Sequence, residues 1–216
     1  MNDPARFIRE NTGLLEPPLI PEIRLHLASE IVPIWQMTEA ELEKSGLPPP
    51  FWAFAWAGGQ ALARYILDNP EIVHGRHVLD FGAGSGLVGI AAMKAGAASV
   101  LAADIDAFAA AAIALNAATN GVVIAVTMDD LIGVGNRGWD IVLVGDVCYE
   151  GPLSARIEAW LRTLAGEELP VLIGDPGRTY LPKTGMEKLV SYAVKTTREL
   201  EDTDVRNTSV WRVLAD

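Results

Sequence analysis

The pattern of apolar and polar positions divides the chain near residue 50. Beyond it, short apolar runs alternate with segments whose apolar residues recur every three or four positions, the periods of strand and helix. His77–Phe81, Val100–Ala103, Val122–Thr127, Ile141–Gly145 and Val171–Gly174 read as strands, and Trp56–Leu67, Leu87–Lys94, Ala107–Thr119 and Pro152–Ala165 as helices between them. Such alternation predicts a largely parallel sheet with helices on both faces. The chain ends differently. Ser191–Leu200 and Thr208–Leu214 are strand-like runs joined by a polar turn with no room for a helix, so they should pair antiparallel. Before residue 51, Pro17, Pro18, Pro21, Pro33 and Pro48–Pro50 interrupt short helical patches. Thr38-Glu39-Ala40-Glu41 has capping-box spacing and predicts a short helix ending near Gly46. With too few apolar residues for its own core, the segment 1–50 is expected to be a helical extension packing on a domain of residues 51–216.

Five parallel strands closed by a hairpin make an α/β sheet that resembles the Rossmann-like, seven-strand class I methyltransferase fold rather than an ordinary dinucleotide-binding fold. Composition narrows the picture further. The 216 residues suit one domain, since single domains usually run to roughly 100–200 residues. A net charge of −11 disfavours a nucleic-acid partner and suits a basic or lysine-rich protein surface, although acidity alone also serves solubility. Cys148 is the only cysteine, so an intramolecular disulfide and a multi-cysteine metal site are both excluded. His26, His74 and His77 lack metal-ligand spacing, and no metal is expected. With no membrane-spanning apolar stretch and no signal-peptide pattern, a cytoplasmic monomer is expected.

The chemistry concentrates at the strand ends. In His77-Val-Leu-Asp80-Phe81-Gly82-Ala83-Gly84-Ser85-Gly86-Leu87-Val88-Gly89, a strand runs into a glycine turn that opens a helix, letting a ligand lie against the backbone. Gly84, Gly86 and Gly89 also satisfy a dinucleotide fingerprint, so the glycines alone are ambiguous. Asp80 shifts the balance, because an acid there favours the amino and sulfonium side of S-adenosylmethionine and repels a pyrophosphate. The segment resembles the D/E-x-G-x-G-x-G signature of methyltransferases. Asp104, at the end of the second strand, should accept hydrogen bonds from ribose hydroxyls, with Ile105 beside it and Asp106 capping the next helix. Met128-Asp129-Asp130-Leu131 lies where adenine should sit; either Asp129 or Asp130 would receive the exocyclic amine, with Leu131 on the ring, unless this is simply an acidic turn. Gly145 closes the fourth strand beside the cofactor.

That strand leads into Asp146-Val147-Cys148-Tyr149. Asp-x-x-Tyr resembles the motif of a group of protein lysine methyltransferases. Within it, Pro50–Tyr65, Leu143–Tyr149 and Leu172–Arg178 are similar to the electron transfer flavoprotein β-subunit lysine methyltransferases, a resemblance spanning residues 50–216. It implies that Trp56 contacts S-adenosylmethionine, that S-adenosylhomocysteine is the product, and that Asp146 and Tyr149 surround the acceptor lysine. The electron transfer flavoprotein β subunit is then the expected substrate. Other lysine-bearing proteins, ribosomal ones included, a nicotinamide-dependent oxidoreductase and a non-catalytic binding module are the alternatives. Lysine must be neutral to attack although its free pKa is about 10.4. Asp146 can orient it, and Tyr149 with an aromatic wall of Trp52, Phe54 and Trp56 can desolvate it, unless those aromatics are ordinary core. Cys148 reads as a small buried side chain, and Arg178 either fixes its loop or touches the substrate.

Overall fold

The computed structural model describes residues 3–28 and 49–215. The capping box at Thr38 and the helix ending near Gly46 lie outside the described residues. Helix α1 (Pro4–Asn11) starts where Asp3 accepts a hydrogen bond from the Ala5 N–H, and Pro4 fills the first turn, which has no intrahelical acceptor to lose. The extension is not helical throughout: β1 (Gly13–Leu15) and β2 (Leu25–Leu27) pair antiparallel. Strands of three residues are too short to display a period in sequence.

Seven further strands form one sheet. In chain order they are β3 (His77–Phe81), β4 (Ser99–Ala103), β5 (Ala125–Thr127), β6 (Ile141–Gly145), β7 (Val171–Asp175), β8 (Met186–Lys195) and β9 (Val205–Val213). Their spatial order is β5-β4-β3-β6-β7-β9-β8; the first five are parallel, and β9 runs antiparallel to both β7 and β8. Helices α2 (Ala57–Asp68), α3 (Leu87–Lys94), α4 (Ala107–Thr119) and α5 (Gly151–Gly166) lie where the periodicity puts them.

Several boundaries differ from expectation. The run beginning at Val122 becomes strand only at Ala125, because the Val122 N–H still serves the last carbonyls of α4 by bonding Ala117 O. Strand β8 starts earlier and ends earlier than the run 191–200, since it is a sheet edge where Glu187 and Lys188 face water and mask the apolar signal. The end of the run 191–200, expected as strand, instead forms a single helical turn, α6 (Arg198–Glu201), and β9 begins at Val205 rather than at Thr208.

Successive strand residues enter two cores. Val78, Leu143 and Leu172 pack with Leu62, Ile66 and Val88 of α2 and α3, whereas Leu79, Val142, Val144 and Ile173 pack with Ile157, Trp160 and Leu161 of α5. Covering both faces is what makes these strands read as continuous apolar runs. The extension shares this packing: Ile20, Ile23, Leu25 and Leu27 are buried against Ala63, Leu87, Ile90 and Ala91. The chain moves outward from β3 to β4 and β5, then returns to the other side of β3 with β6. This reversal opens a crevice at the carboxyl ends of β3 and β6, the usual ligand position in open α/β sheets.

Candidate functional site

The glycine turn after β3 is held by backbone. Gly82 and Ala83 donate to Ala103 O at 2.9 and 3.2 Å, and Gly86 donates to Ala83 O at 2.7 Å. Gly82 and Gly84 have φ of +66° and +52°, where a side chain is strained. A Cβ at Gly82 would also meet Val147 Cγ1 at 2.8 Å, so the turns after β3 and β6 touch, while at Gly84 the nearest atom would be 4.0 Å away. Gly86 stands in the left-handed region as the N-cap of α3. The result is a bare backbone cradle that a ligand can approach.

Two acids fix it. Asp80 is 1 % exposed and accepts the Gly89 N–H at 2.8 Å. Burial, countered by that hydrogen bond and aided by the charge of Asp104, pushes its pKa up to about 7. Asp104 accepts from Gly84 N at 2.9 Å and Asp106 N at 3.1 Å; burial raises its pKa against these two bonds. Asp106 caps α4 through Phe108 N at 2.8 Å, as its position in the sequence implies. Ile105 is 75 % exposed at the rim. After β5 the two candidate acids separate. Asp130 accepts from Ile132 N and pairs with Arg156, whereas among the described residues no hydrogen bond or ion pair engages the exposed Asp129 carboxylate. Leu131 is buried beneath them.

Across the crevice, α2 lies directly on the ends of β6 and β7. A Cβ on Gly58 would overlap the Gly174 carbonyl oxygen, and Gly145, proposed from sequence beside the cofactor, leaves the room that Gly59 takes. This approach sets Asp146. Its φ is +60°, a conformation costing a non-glycine residue about 1–3 kcal/mol, and its side chain is 2 % exposed. Oδ2 accepts the Gly58 N–H at 2.9 Å at the start of α2, where the helix dipole favours negative charge. Arg178 completes the arrangement, donating from Nε to Oδ1 at 2.7 Å and from Nη2 to Oδ2 at 3.2 Å. The other edge of the same guanidinium donates to both oxygens of Glu201 in α6, at 3.0 and 2.8 Å. Arg206 lies 3.4 Å beyond Glu201, so charges alternate through the row Asp146, Arg178, Glu201, Arg206.

Glu201 is the residue that sequence reasoning missed, because it sits just past a run read as strand and has no local motif. Arg178 fixes its loop through these pairs, and its N–H joins that of Gly177 in donating to Asp175 Oδ1. Burial raises the Asp175 pKa to about 6 despite those two bonds. Cys148 is buried as expected; burial and the neighbouring Asp175 and Asp146 charges push its thiol up to about 12, so it stays protonated.

The aromatic wall has different members from those expected. Trp52 turns away and stacks on Phe108 at 6.2 Å, in the core with Ile8 and Ala112, because residues 51–53 form a 3-10 turn that buries Trp52 and Ala53 and leaves Phe51 outside. Phe51 takes its place, exposed and 5.3 Å from Tyr149 and 6.1 Å from Trp56, with Phe54 behind Trp56 at 5.8 Å. Trp56 donates from Nε1 to Phe51 O, and Arg178 lies over its ring at 5.7 Å. Burial and the charges of Asp104, Glu150 and Asp146 raise the Tyr149 pKa, keeping the phenol protonated. Among the described residues there is no cluster suited to a metal ion and no helix long and apolar enough to cross a membrane.

A family model described as ribosomal protein L11 methyltransferase (PrmA) matches residues 60–144. Among solved structures, magnesium protoporphyrin IX methyltransferase from Synechocystis PCC 6803, with bound SAM, superposes with a TM-score of 0.54 at 19 % identity, covering 74 % of this chain and 80 % of that one; at this identity the likeness shows the fold. The electron transfer flavoprotein beta subunit lysine methyltransferase of Danio rerio is 38 % identical over 98 % of this chain and 83 % of its own length. The human protein of the same name is 35 % identical over 95 % of this chain and 80 % of its own. With relatives this similar over nearly the whole chain, and with an acidic, glycine-rich cradle opposite Asp146 and Tyr149, the chain belongs to the electron transfer flavoprotein beta subunit lysine methyltransferase family.

Proposed function

We propose that this enzyme transfers methyl groups from S-adenosylmethionine to lysine side chains of the electron transfer flavoprotein β subunit. Residues 51–216 carry the catalytic domain, and the described part of the extension, residues 3–28, braces it. The observation that carries this reading is the meeting of two unlike surfaces at one crevice, a bare glycine backbone flanked by Asp80 and Asp104, and a buried carboxylate bordered by Tyr149, Phe51 and Trp56.

The cradle fits the donor, because Gly82 and Gly84 leave backbone within reach of a ligand, Gly86 lets α3 start close against Ile113, and the acids match the donor's cationic and hydroxyl groups. Bound there, S-adenosylmethionine supplies a methyl group on a positively charged sulfur. Asp80 faces the amino and sulfonium side, Asp104 takes the ribose hydroxyls with lone pairs not used by Gly84 and Asp106, and Ile105 and Leu131 border the adenine. Asp129 receives the adenine amine, since Asp130 is already engaged by Arg156. Trp56 and Gly145 complete the cofactor side, and the reaction leaves S-adenosylhomocysteine.

Asp146 orients the acceptor. Three of the roughly four lone-pair positions of a carboxylate are taken by Gly58 and Arg178, leaving one on Oδ1 for an amine N–H. Tyr149, Phe51 and Trp56 keep water from the attacking nitrogen, and alignment of the reacting atoms accounts for much of the rate. A cytoplasmic location accords with the lone, buried Cys148. Incubating the enzyme with methyl-labelled donor and purified β subunit should label the β subunit. Calorimetric heat with NAD and none with S-adenosylhomocysteine would instead favour an oxidoreductase.

A further inference from the structure

An unsolved difficulty lies in the acceptor site. The lysine must be neutral to attack, yet a bare buried carboxylate beside it stabilises the ammonium form and raises its pKa. Asp146 is not bare. Its side chain is 2 % exposed and that of Arg178 20 %, so the ion pair between them is only weakly screened. Arg178 stays charged: burial opposes its charge, but the hydrogen bonds and charges of Asp146 and Glu201 outweigh it and raise its pKa above the ordinary range. Glu201, with no side-chain exposure, is in turn balanced by Arg206.

We propose that Arg178 is a positioning residue that neutralises Asp146, so that Asp146 accepts a hydrogen bond from the acceptor lysine without holding that lysine in its protonated form. This rests on the lysine-transfer reading above and goes beyond it by naming what keeps the nucleophile reactive. The lysine gives its proton to solvent; its lone pair then forms the N–C bond as the C–S bond breaks, the bonding pair leaves on sulfur, and the positive charge passes to the methylated nitrogen. Other charged groups face the pair too. Asp175 approaches from β7 and Glu201 from α6, with Arg206 of β9 beyond Glu201, while Glu150 of the β6–α5 loop and Asp104 across the crevice act on Tyr149. From α2 only the backbone N–H of Gly58 is presented. Of these, Arg178 alone bonds both oxygens of Asp146.

The test is the pH dependence of kcat, which reports groups in the bound complex, measured with saturating donor and the β subunit as acceptor. Replacing Arg178 by a neutral side chain, Arg178→Met, should move the rising limb up by about one to two pH units, a size suited to one charge lost a few ångströms away at intermediate dielectric. S-adenosylhomocysteine binding should be unchanged. Arg178→Lys keeps the charge and should keep the wild-type limb, although kcat falls with the lost fork geometry. Should Arg178→Met fail to fold, Asp146→Asn serves, because it removes the negative charge beside the lysine while Arg178 stays and should move the limb of its residual activity downward. A limb that stays in place in folded Arg178→Met, or in Asp146→Asn where that variant stands in for it, would overturn the proposal. A wild-type enzyme that labels no lysine would instead refute the transfer reading itself.

Discussion

Along the carboxyl edge of the sheet, the stretch formed by β3, β4 and β5 and the stretch formed by β6 and β7 are held in different ways. In the first, acids bind backbone N–H groups close to them in space and mostly close in sequence: Asp80 to Gly89, Asp104 to Gly84 and Asp106, Asp106 to Phe108. In the second, an acid in a left-handed conformation is held by a glycine 88 residues away and an arginine 32 away, and the arginine by a glutamate 23 further on. Local backbone contacts make a cradle whose shape follows from a short motif. Long-range charge contacts make a site that exists only when two loops and two helix ends meet.

The sharpest way to test that division is to remove the charge at its centre. Asp146→Ala should reduce methyl transfer by about a thousandfold or more, the scale of a lost aligning group, while S-adenosylhomocysteine still binds. Equal loss of binding and transfer would show that the two stretches are not separable.

Glu201 tests the second stretch without touching the first. Removing one partner of a buried ion pair costs about 3–5 kcal/mol, so Glu201→Ala should lower the Tm by about 10 °C. The exposed pair of Arg198 with Asp204, on the same turn, should contribute under about 1 kcal/mol. Thermal unfolding of both alanine variants checks the contrast.

The first stretch carries an acid burden of its own. Asp80 is raised from an ordinary 3.8 to about 7, so its proton binds more tightly in the folded protein. The stability it contributes is fully present below about pH 4 and is lost as pH climbs toward about 7. Asp80→Asn should flatten that decline and leave the ligand-free protein more stable above pH 7 by about 2–4 kcal/mol, measured by denaturant unfolding across the range. An unchanged profile would mean that Asp80 is not the group responsible.

The smallest expected effect separates the two acids after β5. Asp129→Ala should weaken S-adenosylhomocysteine binding by about tenfold, as one hydrogen bond to ligand is lost, whereas Asp130→Ala should change it by less than about threefold. The reverse ranking would move the adenine to Asp130.

The same division explains what could be read in advance. The parallel strands, four long helices, glycine turn and the cap at Asp106 were legible because each depends on residues close together in sequence. The pairing of β1 with β2, the position of edge strand β8 and the turn of α6 were not, because short or half-exposed elements carry little periodic signal. In the site, Asp146 and Tyr149 were proposed through resemblance, and Arg178 was left between fixing its loop and touching the substrate. Glu201 gave no signal at all, since its partners come from other elements. Trp52 and Phe51 were interchanged because only the local 3-10 turn decides which of two adjacent aromatics points inward.

The central claim is that this crevice joins a methyl donor to a lysine. It is tested most directly by tandem mass spectrometry of the electron transfer flavoprotein β subunit after incubation with the enzyme and S-adenosylmethionine. Methyl groups should appear on lysine side-chain nitrogens and be absent when Asp146→Ala replaces the wild-type enzyme. Methylation confined to other side chains, or equal lysine methylation by both enzymes, would contradict it.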